Sequence, residues 1–249
     1  MLCHAHGYTF EPLKEKTDDG WTLTVFHITG YLLDPLHSKA KARSEKTEGK
    51  FPVLSINGSF GDAETWFKDA GLGKPMHLQL YDEGYDIWMG NNRGTKYSNV
   101  SDEFPDKNDD SFERWDFSWA ELGLYDDSAM IRKIQEETQQ SKVNYIGYSM
   151  GTTQMFYGLT QREEDFYAEN LNKFIALAPC VYFEQTEYDQ YVNGYGEYRK
   201  LGINVIYGPN WEQHTKDICA NMSEDWCHSA KAMGWKPEPQ PLKSREWYY

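Results

Sequence analysis

Residues 142–159 read Lys142-Val143-Asn144-Tyr145-Ile146-Gly147-Tyr148-Ser149-Met150-Gly151-Thr152-Thr153-Gln154-Met155-Phe156-Tyr157-Gly158-Leu159. A short apolar run leads into a G-x-S-x-G pentapeptide, and a helix-competent run leaves it. The pattern predicts a buried strand over Lys142–Ile146, a sharp turn, and a helix from Thr152. Gly147 and Gly151 let the backbone double back and lift the Ser149 hydroxyl clear of the sheet, as a nucleophile elbow requires. A Gly-flanked turn with an incidental serine would show the same five letters, so the weight rests on the strand and helix around them.

Upstream, Phe51-Pro52-Val53-Leu54-Ser55-Ile56 is a second strand-like run, opening into Asn57-Gly58-Ser59-Phe60-Gly61. Beside a working elbow, one oxyanion-hole N–H comes from such a loop and another from the residue after the nucleophile. Those donors would belong to Ser59 and Met150. An ordinary Gly-rich connection fits the loop equally well.

Further motifs are Asp18-Asp19-Gly20-Trp21-Thr22-Leu23, Trp66, Gly84-Tyr85-Asp86-Ile87-Trp88-Met89-Gly90-Asn91-Asn92-Arg93-Gly94, Phe117-Ser118-Trp119-Ala120-Glu121, Tyr125-Asp126 and Ala176-Leu177-Ala178-Pro179. In order and spacing they resemble the acid lipases, the gastric and lysosomal type of α/β hydrolase. The likeness covers nearly all of residues 7–180 and, more loosely, the stretch to about 235. It implies an α/β fold with a mostly parallel sheet, an N-terminal hairpin and a partial cap. The expected division is a core over residues 1–180, a cap-like segment over 181–235, and a Pro-rich, aromatic-tipped tail over 236–249.

Departures from the family are specific. Asn57-Gly58 stands where the family has His-Gly, and Gly-Tyr-Ser-Met-Gly where it has Gly-His-Ser-Gln-Gly; backbone donors survive both changes. In the family, the strand matching Lys173–Ala178 is followed by a cap and then by two strand–helix units carrying the triad Asp and His. Here 100 residues follow Ser149, and residues 181–235 resemble part of that cap. Cys219 and Cys227, eight apart, resemble the cap's disulfide-forming pair. The expectation is a truncated α/β-hydrolase fold lacking the last two units.

A general base must come within about 3 Å of the serine oxygen. After Ser149 the histidines are His214 and His228, and the acids include Asp189, Asp217 and Asp225, all in cap-like sequence. A serine without a base is a poor nucleophile near neutral pH. The chain therefore reads as a non-catalytic structural or accessory subunit of a larger complex, with Ser149 vestigial. The alternative is a serine ester hydrolase acting on acyl lipids, completed by a second chain supplying Asp and His. Either way, an open sheet edge near Phe174–Ala178 calls for a protein partner.

Composition narrows the partners. Net charge is −14, from 39 acids and 25 bases, which argues against nucleic acid and anionic membrane surfaces. Much of the excess falls between residues 101 and 116, without the Asp-x-Asp-x-Asp-Gly pattern of a calcium loop, and reads as a solvated loop. Four cysteines without a C-x-x-C pair give no zinc or redox motif, and no cofactor motif is present. Aromatics reach 16%, which suits an interface as well as a core.

Met1 is not followed by a charged and then apolar leader, which favours an intracellular or organellar setting. The longest apolar stretch, Phe174 to Phe183, falls short of the roughly 20 residues a spanning helix needs. Sequons at Asn57, Asn99 and Asn221 read as chance matches, since a glycan does not fit an oxyanion loop. Asp19-Gly20 predicts a hairpin between Phe10–Lys16 and Trp21–Ile28. Ser118-x-x-Glu121 predicts a capping box and a helix to about Thr138, with Leu124, Ile131 and Ile134 facing the core. Lys236-Pro237-Glu238-Pro239-Gln240-Pro241 favours an extended arm ending in Trp247-Tyr248-Tyr249.

Overall fold

A computed structural model describes residues 5–59, 61–67, 73–106, 111–161 and 165–181, together with Lys216, Cys219 and Ala220. The chain divides into two compact units. One gathers the described residues up to Pro105 and Ser118–Val181; the other holds, among the described residues, Asp106, residues 111–117, Lys216, Cys219 and Ala220. The larger unit is built on a seven-stranded sheet in the order β1-β2-β4-β3-β6-β7, with β5 paired to β2.

The strands are β1 Tyr8–Lys16, β2 Trp21–Tyr31, β3 Val53–Ile56, β4 Ile87–Asn91, β5 Val100–Ser101, β6 Val143–Tyr148 and β7 Leu171–Leu177. β1 and β2 form the expected hairpin. Its turn closes with Thr17 N–H on the Trp21 carbonyl at 2.8 Å, and Gly20 supplies the positive φ of +92° that the bend needs. β2 then runs antiparallel to β4, whereas β4, β3, β6 and β7 are parallel neighbours. Parallel strands are covered on both faces and tend to be apolar throughout. β3 and β4 are accordingly buried along their whole length.

Tyr8, Phe26, Ile28, Val53, Phe67, Leu78, Ile87, Met89 and Ile146 form the core cluster on one face. On the other, the helix Asp127–Thr138 presents Met130, Ile131 and Ile134, all fully buried. Its entry follows the sequence pattern. Ser118 and Glu121 form a reciprocal capping box, and the helix ends at Thr138 with Gln139 left-handed at φ +56°. Leu124 is half-buried, and Leu122, 3% exposed, lies deeper. Both lie in a π-helical turn over Leu122–Asp126, where the count departs from the regular 3.6 residues per turn.

Between β2 and β3 lies a short exposed helix, Ser38–Ser44. At the far side of the sheet, β7 is half-exposed, and Ile175 is 39% exposed. Among the described residues no strand pairs with its outer edge. No helix among the described residues is long and apolar enough to cross a membrane. The cap-like residues 182–215 and the tail 236–249 lie outside the described residues.

Candidate active site

Ser149 sits between the end of β6 and the helix Met150–Gln161, half-buried, with φ +51°. A left-handed non-glycine residue costs about 1–2 kcal/mol, so the turn is held by its surroundings. A Cβ on Gly147 would lie 2.6 Å from the Gly151 carbonyl oxygen, and one on Gly151 would lie 2.5 Å from that of Ile56. Both contacts are with backbone, so neither position admits a side chain. They clamp the elbow onto the C-terminal end of β3. Thr152 closes the turn from behind, its N–H and hydroxyl both donating to the Ser149 carbonyl, at 2.8 and 2.6 Å.

The loop after β3 meets this turn directly. A Cβ on Gly58 would fall 2.9 Å from Ser149 Cβ, so only glycine lets Ser59 and its neighbours approach the serine. Asn57, where the resemblance led one to expect His, is 2% exposed and braces the loop by donating from Nδ2 to the Gly58 carbonyl at 2.9 Å. Its burial excludes the sequon from glycosylation in the folded chain. Met150 is the first residue of its helix, where the leading amides have no intrahelical acceptor.

Cys180 is the neighbour that sequence reading missed. Leaving β7, the chain bends at Ala178, φ +48°, and is tied back to the elbow helix. Cys180 N–H donates to Thr152 Oγ1 at 3.0 Å, and Thr153 Oγ1 donates to the Cys180 carbonyl at 2.8 Å. Its thiol then lies 3.9 Å from Ser149 Oγ. Among the described residues, that thiol is the one side chain within hydrogen-bonding reach of the serine hydroxyl. Nothing in the spacing of Ser149 and Cys180 announces the contact.

His77 does not serve Ser149: its Nε2 is 2.7 Å from Ser55 Oγ, and full burial pushes its pKa down to about 3. His214, His228, Asp189, Asp217 and Asp225 all lie outside the described residues. Cys219 is disulfide-bonded; Cys227 lies outside the described residues. No group of three or more His, Cys, Asp or Glu side chains among the described residues could hold a metal ion.

Behind the elbow lies a buried ionic network that joins three of the motif segments. Arg93, with a side chain 2% exposed, bonds both Asp19 oxygens at 2.6 and 2.8 Å. It also reaches Asp126 through Nε at 2.8 Å and Nη2 at 2.7 Å, and its backbone N–H donates to the same carboxylate at 2.7 Å. The partners pull in opposite directions. Two carboxylates hold the Arg93 guanidinium above its ordinary pKa, while burial lifts Asp126 to about 6. Among the described residues only donors face the Asp126 oxygens, and that geometry fits the ionised form.

Residues 52–199 match the family profile described as the alpha/beta hydrolase fold. The chain belongs to that family. Within it, this chain is acid-lipase-like. Lipase 1 of Drosophila melanogaster is 32% identical over 198 residues, covering 79% of this chain and 40% of the fly protein. Gastric triacylglycerol lipase of Mus musculus is 33% identical over 182 residues, covering 73% of this chain and 42% of the mouse protein. Among solved structures, a Pyrococcus furiosus esterase aligns with a TM-score of 0.46 at 14% identity, over 85% of this chain and 68% of that one. The chain thus spans about two-fifths of the length of the lipases it matches.

Proposed function

We propose that this chain carries the nucleophile and oxyanion half of a serine ester hydrolase acting on acyl lipids. The observation that carries the reading is the strained Ser149, φ +51°, packed against Gly58 of the oxyanion loop. Strain of this kind persists where the surroundings over-determine it, and such positions cluster at active sites. The lipase names of the relatives supply the substrate class.

In this mechanism Ser149 Oγ attacks the ester carbonyl carbon and gives its proton to an imidazole. The N–H groups of Ser59 and Met150 hold the oxygen that becomes negative. The imidazolium returns the proton to the leaving alcohol, and water repeats the sequence on the acyl-serine to release the acid. Imidazole and supporting carboxylate come from polypeptide outside the described residues. A route for them is a segment or second chain docked along the β7 edge near Phe174–Ala178. The division into core 1–180, cap-like 181–235 and tail 236–249 belongs to the same proposal.

The test is ester turnover by the intact native protein, with and without Ser149→Ala. Hydrolysis of a short-chain p-nitrophenyl ester and of emulsified triacylglycerol should fall by roughly four orders of magnitude or more in the variant. No turnover by the native protein, or turnover unchanged by the substitution, would support the non-catalytic structural or accessory subunit instead.

A further inference from the structure

A second carboxylate stands beside Asp126 and takes no part in the chemistry above. Asp127 is fully buried at the start of the helix Asp127–Thr138. Its Oδ1 accepts from Gln154 Nε2 at 2.7 Å, and its two oxygens lie 3.2 and 3.1 Å from the Tyr145 hydroxyl. That hydroxyl is also 2.9 Å from the carbonyl oxygen of Gly151, the last residue of the elbow. Gln154 also pairs reciprocally with Asn92, its Oε1 accepting from Asn92 Nδ2 at 2.8 Å and its Nε2 donating to Asn92 Oδ1 at 3.3 Å.

Protons can be counted at this junction. A tyrosine hydroxyl has one proton to donate. If it goes to Gly151, the phenol oxygen and an ionised Asp127 would face each other lone pair to lone pair. If it goes to Asp127, phenol and carbonyl oxygens stand 2.9 Å apart with nothing between them. Only a second proton, on Asp127, satisfies both contacts. It gives a directed chain, Asp127 O–H to Tyr145 O–H to Gly151 C=O.

We propose that Asp127 is a neutral carboxylic acid in the folded protein and a positioning residue for the elbow, acting through Tyr145 on the Gly151 carbonyl. Gly151 is the residue pinned against the Ile56 carbonyl, so the chain fixes where Ser149 and the Met150 N–H stand relative to the oxyanion loop. Deprotonation at alkaline pH would turn the Tyr145 proton toward Asp127 and release Gly151.

The surroundings agree. Burial pushes the Asp127 carboxyl well above its ordinary range, the adjacent Asp126 adds to that, and the hydrogen bonds from Gln154 and Tyr145 oppose it. The other titratable or charged groups in the cluster are Arg93 and Asp19, engaged with Asp126, and Tyr167, which faces Tyr145. No open helix terminus compensates the charge, because the π turn Leu122–Asp126 runs straight into this helix. The positioning role rests on the proposed hydrolase reading; the protonation state does not.

The experiment compares the intact protein with Asp127→Asn, Asp127→Ala and Tyr145→Phe. Asparagine keeps a donor for Tyr145 and an acceptor for Gln154, and so copies the neutral acid. A native pKa raised above the unfolded value makes stability fall as pH rises between the two. The unfolding constant of the wild type relative to Asp127→Asn should therefore grow about tenfold per pH unit above about pH 5, for as long as the folded carboxyl keeps its proton. Fluorophosphonate labelling of Ser149 should lose its alkaline decline in Asp127→Asn and slow at all pH values in Asp127→Ala and Tyr145→Phe.

A wild type to Asp127→Asn difference that does not change with pH would overturn the neutral acid. A pH-dependent difference in stability, with labelling equally fast in all four proteins, would overturn the positioning role. Absence of any labelling alongside the tenfold stability trend would instead fault the hydrolase reading and uphold the protonation state.

Discussion

Replacing Arg93 by methionine tests what the buried ionic network contributes to the fold that holds the elbow. Arg93 makes two side-chain bonds to each of Asp19 and Asp126, but the two losses are unequal. Asp19, with 29% side-chain exposure, regains water, whereas the Asp126 side chain is fully buried and cannot. Removing one partner of a buried pair typically costs about 3–5 kcal/mol, because the other charge is stranded. Against a total stability of roughly 5–15 kcal/mol, Arg93→Met should leave a marginal protein.

The loss should depend on pH with a definite sign. Burial already lifts Asp126 to about 6 with the guanidinium beside it, and without that charge its folded value rises further. A raised folded pKa means stability present in acid and lost as pH climbs through the interval. Arg93→Met should thus be less damaging at about pH 5 than at about pH 8, the gap changing by up to about 1.4 kcal/mol per pH unit. Arg93→Met with Asp126→Asn should recover most of the loss, because no charge is stranded and the backbone N–H at position 93 keeps its acceptor. Urea denaturation at the two pH values reads the midpoint, with the m-value checked for constancy. A cost below about 1 kcal/mol, typical of a solvated surface pair, would refute the reasoning, as would a cost that grows in acid.

Two further outcomes follow from the elbow and its packing. Ser149→Gly should be more stable than Ser149→Ala by up to about 1 kcal/mol, since glycine relieves the left-handed strain while losing more chain entropy; thermal denaturation of the pair decides it. Gly123→Ala should destabilise by about 1–3 kcal/mol, because its Cβ would fall 2.2 Å from the Gln154 carbonyl oxygen, and chemical denaturation checks that figure against a control substitution at exposed Leu159.

Much of this architecture could be read from the chain because it depends on local chemistry. Gly147 and Gly151 announce the elbow, Asp19-Gly20 the hairpin, and Ser118-x-x-Glu121 the helix start, each through a constraint acting within a few residues. What failed to show is contact between distant segments. The meeting of Asp19, Arg93 and Asp126 was visible only as three separate motif letters, with no hint that one guanidinium joins them. Cys180 reaches Ser149 only because β7 lies parallel to β6 and bends back at Ala178. The π turn at Leu122–Asp126 escaped because a 3.6-residue pattern assumes regular helix. Asp127 carries no signal in the sequence, because Tyr145 and Gln154, which enclose it, come from other elements.

The most direct test of the central claim is to treat the intact native protein with a fluorophosphonate and map the adduct by mass spectrometry. A stoichiometric label on Ser149, absent from Ser149→Ala, is the result expected of a primed elbow facing an oxyanion hole. An unlabelled Ser149 in fully folded protein would contradict it.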